Sequence, residues 1–344
     1  YMETKYAAGV QSGTAGLHMS LQVLGVQRDE EVIVPTLTFI AAVNPITYLG
    51  ANPVFIDCDD SLCIDPLKLE KFCSEECDFK EGVLVNKKTN KKIRALVVVH
   101  VFGNMADMEK IMDIAKKYNL KVLEDATEAL GTYYTEGRYK GKYAGTIGDI
   151  GVLSFNANKI ITTGGGGMVV GDNEELVEKV RFLSSQAKKD TLYFIHDEIG
   201  YNYRMLNLQA ALGTSQIDQL ESFIETKIKN YNIYKEELEK IEGLEILPFR
   251  DGIRANHWFY SLKIDKEKYG IGRDELLQKL VDAGIQTRPI WGLIHQQKPY
   301  TVYQNYEIEK ALYYYDRILN LPCSSNLTEK EVYQVIEKIR EFRK

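Results

Sequence analysis

The chain has 344 residues, of which 44% are hydrophobic and 27% charged, and its net charge is −6. That length suits a large domain joined to a smaller one, and the composition excludes a disordered chain, a collagen and a disulfide scaffold. No apolar run nears the roughly 18 residues of a spanning helix, and nothing offers the basic face of a nucleic-acid binder.

The five cysteines (Cys58, Cys63, Cys73, Cys77 and Cys323) are an odd number with no signal peptide ahead of them. They predict a reduced, cytoplasmic compartment.

In chain order, strands are predicted at Glu31–Val34, Pro53–Asp57, Arg94–Val101, Lys121–Glu124, Ile150–Phe155 and Met168–Val170. Amphipathic helices alternate with them at Ala15–Leu24, Ile40–Leu49, Pro66–Cys77, Met108–Tyr118 and Glu174–Gln186. Runs such as Ala95-Leu96-Val97-Val98-Val99 are apolar on both faces, which predicts a parallel sheet covered by helices on both sides. Asp65 ahead of Pro66, Asp107 and Asn173 are candidate helix caps. Val83–Ile93 reads as a hairpin with a lysine-rich tip. Met205–Ile241 follows helical spacing as one long helix, or two with a bend. Beyond it Trp258–Ile264 reads as a strand, and Arg273–Ala283 and Thr328–Phe342 as helices.

Common cofactor motifs fail. Gly164-Gly165-Gly166-Gly167 has no Gly-x-Gly-x-x-Gly register and precedes a strand, where a dinucleotide fingerprint follows one. Gly137–Lys142 is too short for a P-loop and reads as a hairpin turn. Cys73 and Cys77 lack companion ligands for zinc, and no metal site is expected.

Three segments are poorly explained by packing alone. Ser12-Gly13-Thr14-Ala15 opens a helix, and the amides of Gly13, Thr14 and Ala15 suit a phosphate. Val122-Leu123-Glu124-Asp125 ends a strand in two acids, where the crevice of a parallel sheet binds ligands. Lys159 follows a strand and precedes the four glycines, as if beside a bulky group that needs bare backbone. Each has an ordinary reading by itself: a helix start, a helix cap, a solvated lysine. Together they match the needs of pyridoxal 5′-phosphate. A lysine amine bonds its aldehyde, a carboxylate pairs with its pyridine nitrogen, and a helix start holds its phosphate. Free lysine titrates near about 10.4, so an unmodified ammonium would be unreactive at neutral pH.

At these residues the chain resembles the DegT/StrS-type sugar aminotransferases. The matching segments are Ser12–Ala15, Val34–Phe39, Glu124-Asp125-Ala126, Ser154-Phe155 with Lys159, and Gly200–Met205. The resemblance implies an α/β fold of the aspartate aminotransferase (type I) class. A large cofactor domain over residues 1–225 would hold a mostly parallel central sheet, with a smaller C-terminal α+β domain over 226–344. It implies that Lys159 is the Schiff-base lysine and proton carrier, and that Asp125 pairs with the pyridine nitrogen. Ser154 and the amides of Gly13, Thr14 and Ala15 would hold the phosphate, and Phe39 would stack on the ring. Asn202 would reach the phosphate of a partner subunit in a homodimer, and Arg204 is a candidate for the donor's carboxylate. Glu128 stands near the cofactor hydroxyl where many relatives carry Gln or His, so it is either protonated or turned away. Gly165 replaces the glutamate of a Gly-Glu-Gly-Gly run. Relatives extend further at the N-terminus, so a truncated start at Tyr1 is expected.

More narrowly, Phe55–Asp60, the lysine hairpin, Tyr133–Gly141, Thr287–His295 and Pro322–Leu327 resemble the aminotransferases of legionaminic acid biosynthesis. That likeness implies a 4-keto-6-deoxy-N-acetylhexosamine on UDP or GDP, aminated from L-glutamate. Arg288 would pair with a diphosphate, Trp291 would stack on a sugar or base, and His295 would bond a hydroxyl or phosphate. Core packing for Trp291 and a turn cap for His295 are the plain alternatives. A perosamine-type synthase is the enzymatic rival. A catalytically silent regulatory member of the fold is the rival of another class, against which the intact Lys159 and Asp125 argue.

Overall fold

The computed structural model describes residues 1–190 and 192–344. The first half of the chain runs β1 (Tyr6–Val10), α1 (Gly13–Val23), β2 (Glu31–Pro35), α2 (Asn44–Tyr48), β3 (Asn52–Ile56) and α3 (Pro66–Lys71). Then come β4 (Cys77–Lys80), β5 (Val83–Asn86), β6 (Lys92–Val99), α4 (Met108–Tyr118), β7 (Lys121–Asp125), β8 (Tyr133–Tyr134), β9 (Ile150–Ser154), β10 (Gly167–Gly171) and α5 (Glu174–Ser184). The second half runs β11 (Lys188–Asp190), β12 (Ile195–His196), α6 (Asn207–Ile217), α7 (Leu220–Leu238), β13 (Leu244–Ile246), β14 (Ile253–Arg254) and β15 (Tyr260–Ile264). It closes with α8 (Lys266–Tyr269), α9 (Arg273–Asp282), β16 (Arg288–Pro289), β17 (Asn305–Tyr306), α10 (Lys310–Tyr315), β18 (Ile318–Leu321) and α11 (Glu329–Glu341).

The strands that are apolar on both faces lie in the middle of one large sheet, ordered β1-β10-β9-β7-β6-β2-β3-β17. From β9 to β17 every neighbouring pair is parallel, whereas β10 and β1 run antiparallel at one edge. Val97, Val98, Val122, Leu123 and Val152 are fully buried, because helices shield both faces of these central strands. A second sheet, β13-β15-β18-β16, has its own apolar cluster in which Tyr234, Tyr260, Leu262, Leu319 and Ile336 meet. Among the described residues no helix is long and apolar enough to cross a membrane.

Local chemistry accounts for the element ends. Ser12, Asp65, Asp107 and Asn173 each accept an amide of the first turn of their helix, so the three predicted caps hold. The lysine hairpin forms with Leu84 opposite Ile93, and Gly137–Lys142 is a hairpin turn in which the Gly141 amide donates to the Tyr134 carbonyl at 2.7 Å.

Three predicted elements differ, and a fourth resolves between its two readings. The predicted helix Ile40–Leu49 is a single tight turn followed by α2, because Pro45 lacks an amide and opens a helix more readily than it continues one. The predicted helix Pro66–Cys77 leaves α geometry at Lys71 and finishes as a wider π turn, Phe72–Glu76. The segment Met205–Ile241 takes the second of its two readings, α6 and α7. The strand expected from Trp258 begins only at Tyr260, since the Trp258 amide is taken by the Asn256 side chain at 2.9 Å. Strand β1 has no counterpart among the predicted elements; it pairs with β10 along the antiparallel edge.

Candidate active site

The parallel strands β2, β6, β7 and β9 are successive neighbours, and their carboxyl ends face one crevice. Val99, Asp125 and Val152 stand level across three of them. The crevice is lined by the segment after each strand: Thr36–Phe39 after β2, His100–Phe102 after β6, Ala126–Glu128 after β7, Asn156–Lys159 after β9.

The two acids ending β7 point to opposite faces, as the period-two pleat requires, and do different work. Glu124 is closed to water and accepts from His100 Nε2 (2.9 Å) and from the amides of Gly145 (2.9 Å), Ile147 (2.6 Å) and Gly148 (2.5 Å). Burial disfavours its charge, but His100 and these amides outweigh burial and hold the carboxyl below its usual range. The Ala106 amide donates to His100 Nδ1 at 3.2 Å, so Nε2 carries the proton that Glu124 accepts. Asp125 faces the crevice side with one firm backbone partner, the Thr127 amide at 3.1 Å. In the chain by itself burial pushes this carboxyl up, partly offset by Thr127 and then by the nearby Lys159 charge.

Lys159 reaches in from the loop after β9. Its Nζ lies 3.9 Å from Glu128 Oε1 and 4.1 Å from the centre of the Trp258 ring. Burial lowers the lysine, and Glu128 and Asp125 oppose that shift. Burial likewise raises Glu128 to about 7, with Lys159 and the Phe102 amide (2.8 Å to Oε2) pulling the other way. Glu128 therefore does not turn away: it faces the lysine, half-protonated near neutral pH.

The start of α1 closes another side. The Ser12 hydroxyl accepts the Ala15 amide at 3.1 Å, so of the three amides expected to hold a phosphate, Ala15 is already engaged as part of the helix cap. Gly13 and Thr14 remain, their amides lacking intrahelical partners as at any helix start. A Cβ on Gly13 would stand 3.0 Å from both Ser154 Cβ and Thr127 Cγ2, so only glycine leaves this cradle open. Within the four-glycine run, the last glycine serves the same join rather than bare backbone beside Lys159. A Cβ on Gly167 would stand 2.8 Å from the Gly13 nitrogen, and Gly166 sits at φ +119°, a backbone that side chains resist.

The remaining expected residues divide. Phe39 is 52% exposed at the crevice mouth with its ring 6.3 Å from Trp291, which in turn lies 4.5 Å from Phe102. His295 is tied to the large sheet by Nδ1 and Thr36 Oγ1 at 2.6 Å. Three residues are not brought to Lys159 within this chain. Arg288 lines a separate cleft of about 500 Å³ with Asn320 and Gln334, and Asn202 and Arg204 are exposed, bridging to Ser185 and Val10. Reading the sequence also missed His100, Asn256 and Trp258. The signal for His100 was present, since it ends an apolar strand just as Asp125 does.

These residues fit pyridoxal phosphate. A buried carboxylate, a desolvated lysine and a helix start that a single Cβ would block surround one crevice. Asp125 would take the ring nitrogen, Lys159 the aldehyde, and Ser154 with the Gly13 and Thr14 amides the phosphate.

The model of the DegT/DnrJ/EryC1/StrS aminotransferase family matches residues 1–340. The GDP-perosamine synthase of Escherichia coli O157:H7 is 37% identical over 339 residues, 98% of this chain and 86% of its own. The UDP-4-amino-4,6-dideoxy-N-acetyl-beta-L-altrosamine transaminase of Campylobacter jejuni is 30% identical over 357 residues, 99% of this chain and 88% of its own. A DegT DnrJ EryC1 StrS aminotransferase from Brucella abortus superposes with a TM-score of 0.89 at 26% identity, covering 100% of this chain and 87% of its own.

Proposed function

The chain belongs to the DegT/DnrJ/EryC1/StrS aminotransferase family, whose members use pyridoxal phosphate, and from that premise we propose that it aminates the keto carbon of a nucleotide-linked 4-keto-6-deoxy-N-acetylhexosamine. The nucleotide is UDP or GDP, the donor is L-glutamate, and the product feeds a nonulosonic sugar of the legionaminic type. The observation that carries the catalytic part is the meeting of Lys159, Asp125 and Glu128 at the carboxyl ends of parallel strands.

When bound, pyridoxal phosphate supplies an aldehyde that carries the amino group and a ring that draws electrons from the reacting carbon. The chain's own residues do the rest. Gly13, Thr14 and Ser154 would hold a dianionic phosphate at the positive end of α1. Asp125 would accept the ring N–H and keep that nitrogen positive. His100, locked on Glu124, stands near enough to Asp125 to favour its charge. Lys159 Nζ, whose ammonium burial disfavours, would take and return the proton at the carbon that loses or gains nitrogen. Glu128 holds or yields a proton beside it.

A second reading, a GDP-linked sugar without the acetamido group, is favoured by the 37% identity to the perosamine synthase against 30% to the UDP-sugar transaminase. Turnover of UDP- and GDP-4-keto sugars, with and without the acetamido group, separates the two. Preference for the non-acetamido GDP sugar overturns the first.

We also infer a homodimer. Helix α6 buries none of its residues in this chain, with Leu208 85% exposed and the preceding Leu206 65%. Beside it opens an apolar cavity of about 420 Å³ lined by Thr163, Met168, Met205 and Ile217. Apolar surface of this kind marks an interface. The exposed Asn202 stands on the same stretch, free to serve a neighbouring copy.

A further inference from the structure

Trp258 is buried and locked on three sides. Its indole N–H donates to the Asn158 carbonyl at 3.0 Å, which fixes the loop just before Lys159. Its backbone carbonyl accepts from Lys227 Nζ at 3.1 Å and from the Cys323 thiol at 3.2 Å, so α7 and the end of the small sheet brace it from behind. Its amide donates to Asn256 Oδ1 at 2.9 Å, and the Asn256 side-chain amide donates to the carbonyls of Glu128 and Leu130, both at 2.9 Å. Asn256 thus ties Trp258 to Glu128, the residue whose carboxyl faces the lysine. Between them His257 is held at φ 52°, a left-handed backbone that a side chain disfavours. Strain of that kind persists only where surrounding contacts over-determine it, and it gathers at functional sites.

We propose that Trp258 is a positioning residue for Lys159: its ring face and the Glu128 carboxyl form one built seat in which the lysine amine rests whenever it is not bonded to the cofactor. The proposal rests on the reading of Lys159 as the cofactor-bearing lysine. A ring face attracts an ammonium, most strongly where water is excluded, and the 4.1 Å approach puts Nζ within that range. A released lysine is long and flexible, and an unseated one would drift from the carbon whose proton it must carry. The titratable groups facing the amine are Glu128 and Asp125, with His100 behind Asp125; Lys227 lies on the far side of Trp258 and engages the Trp258 and Cys323 carbonyls.

The test uses the full chain with cofactor removed. The sequence has two tryptophans, so Trp291→Phe leaves Trp258 as the only indole. Its emission is followed against pH while acylation of Lys159 is read by mass spectrometry. The seat predicts that both follow one midpoint and that Lys159→Met abolishes the emission step. It also predicts that Trp258→Leu, which stays apolar but has no ring face, moves the labelling midpoint down by about one pH unit. Trp258→Phe, which keeps a ring face, should recover at least about half of that shift. An emission step that survives in Lys159→Met overturns the proposal, as does an unmoved labelling midpoint in Trp258→Leu. If Trp258→Leu does not fold, the emission comparison alone decides. Failure of the cofactor to bond Lys159 would instead defeat the functional reading and leave the ring–amine coupling measurable.

Discussion

Lys159 Nζ lies 3.9 Å from Glu128 Oε1, and both side chains are almost closed to water. Burial penalises each charge, so the pair moves toward neutrality from both ends, the lysine lowered and the carboxyl raised to about 7. Their attraction offsets this only in part, because desolvation of a buried pair rivals its Coulomb gain.

The pair confers a pH dependence on stability. In the unfolded chain Glu128 loses its proton near 4.5, whereas in the fold it keeps it to about 7. Between those values the folded state binds the extra proton. Its stabilising contribution is complete below the lower value and fades as pH rises through the upper one. Urea unfolding of the cofactor-free chain at about pH 5 and about pH 8 should show the parent losing up to roughly 3 kcal/mol relative to Glu128→Gln. Parallel pH profiles for the two proteins would contradict the assignment.

Glu124 makes the opposite prediction. It collects His100 and three amides, and its carboxyl is held below the usual range. Glu124→Ala leaves those donors buried and unpaired, so a loss of about 3–5 kcal/mol is expected from thermal or denaturant unfolding. Because its native value is depressed, the stability Glu124 confers is present above its unfolded value and is lost as pH falls through the folded one. A cost under about 1 kcal/mol would mean that water reaches the cluster.

Much of the fold is legible in the sequence. The central strands declare themselves because runs such as Val97-Val98-Val99 are apolar on both faces, and the helix caps because Asp65, Asp107 and Asn173 carry the chemistry of a first turn. Strand β1 is illegible: Tyr6–Val10 is small and mixed, and only its pairing with β10 makes it a strand. The site is legible where a polar residue ends an apolar strand, as at Asp125. It is illegible where partners come from far along the chain. Asn256 meets Glu128, and Trp258 meets Lys159, through tertiary contacts between residues about a hundred or more positions apart. The glycine run suggests Lys159 as its neighbour because the two are adjacent in sequence, yet Gly167 closes on the start of α1 and Gly166 on Thr163.

Asp125→Asn keeps the shape of the side chain and removes its charge. It should fold as the parent does by circular dichroism while turnover falls by about a hundredfold or more, the scale on which a preorganised electrostatic partner acts. Cofactor affinity, read by dialysis against the visible band, should fall with it. Unchanged turnover would remove Asp125 from the site.

The dimer prediction is read by sedimentation. The parent should run at twice the chain mass, and Leu208→Arg, which puts a charge on the most exposed leucine of α6, should shift it toward the chain mass. A parent that is monomeric and fully active would defeat the inference.

The most direct test of the whole account is where the cofactor bonds. The protein, purified with pyridoxal phosphate, is reduced with borohydride, digested and read by mass spectrometry. The expected result is a phosphopyridoxyl group on Lys159 alone, prevented by prior addition of L-glutamate together with loss of the visible band. A group on another lysine, or none in a chain that is folded by circular dichroism, would contradict it.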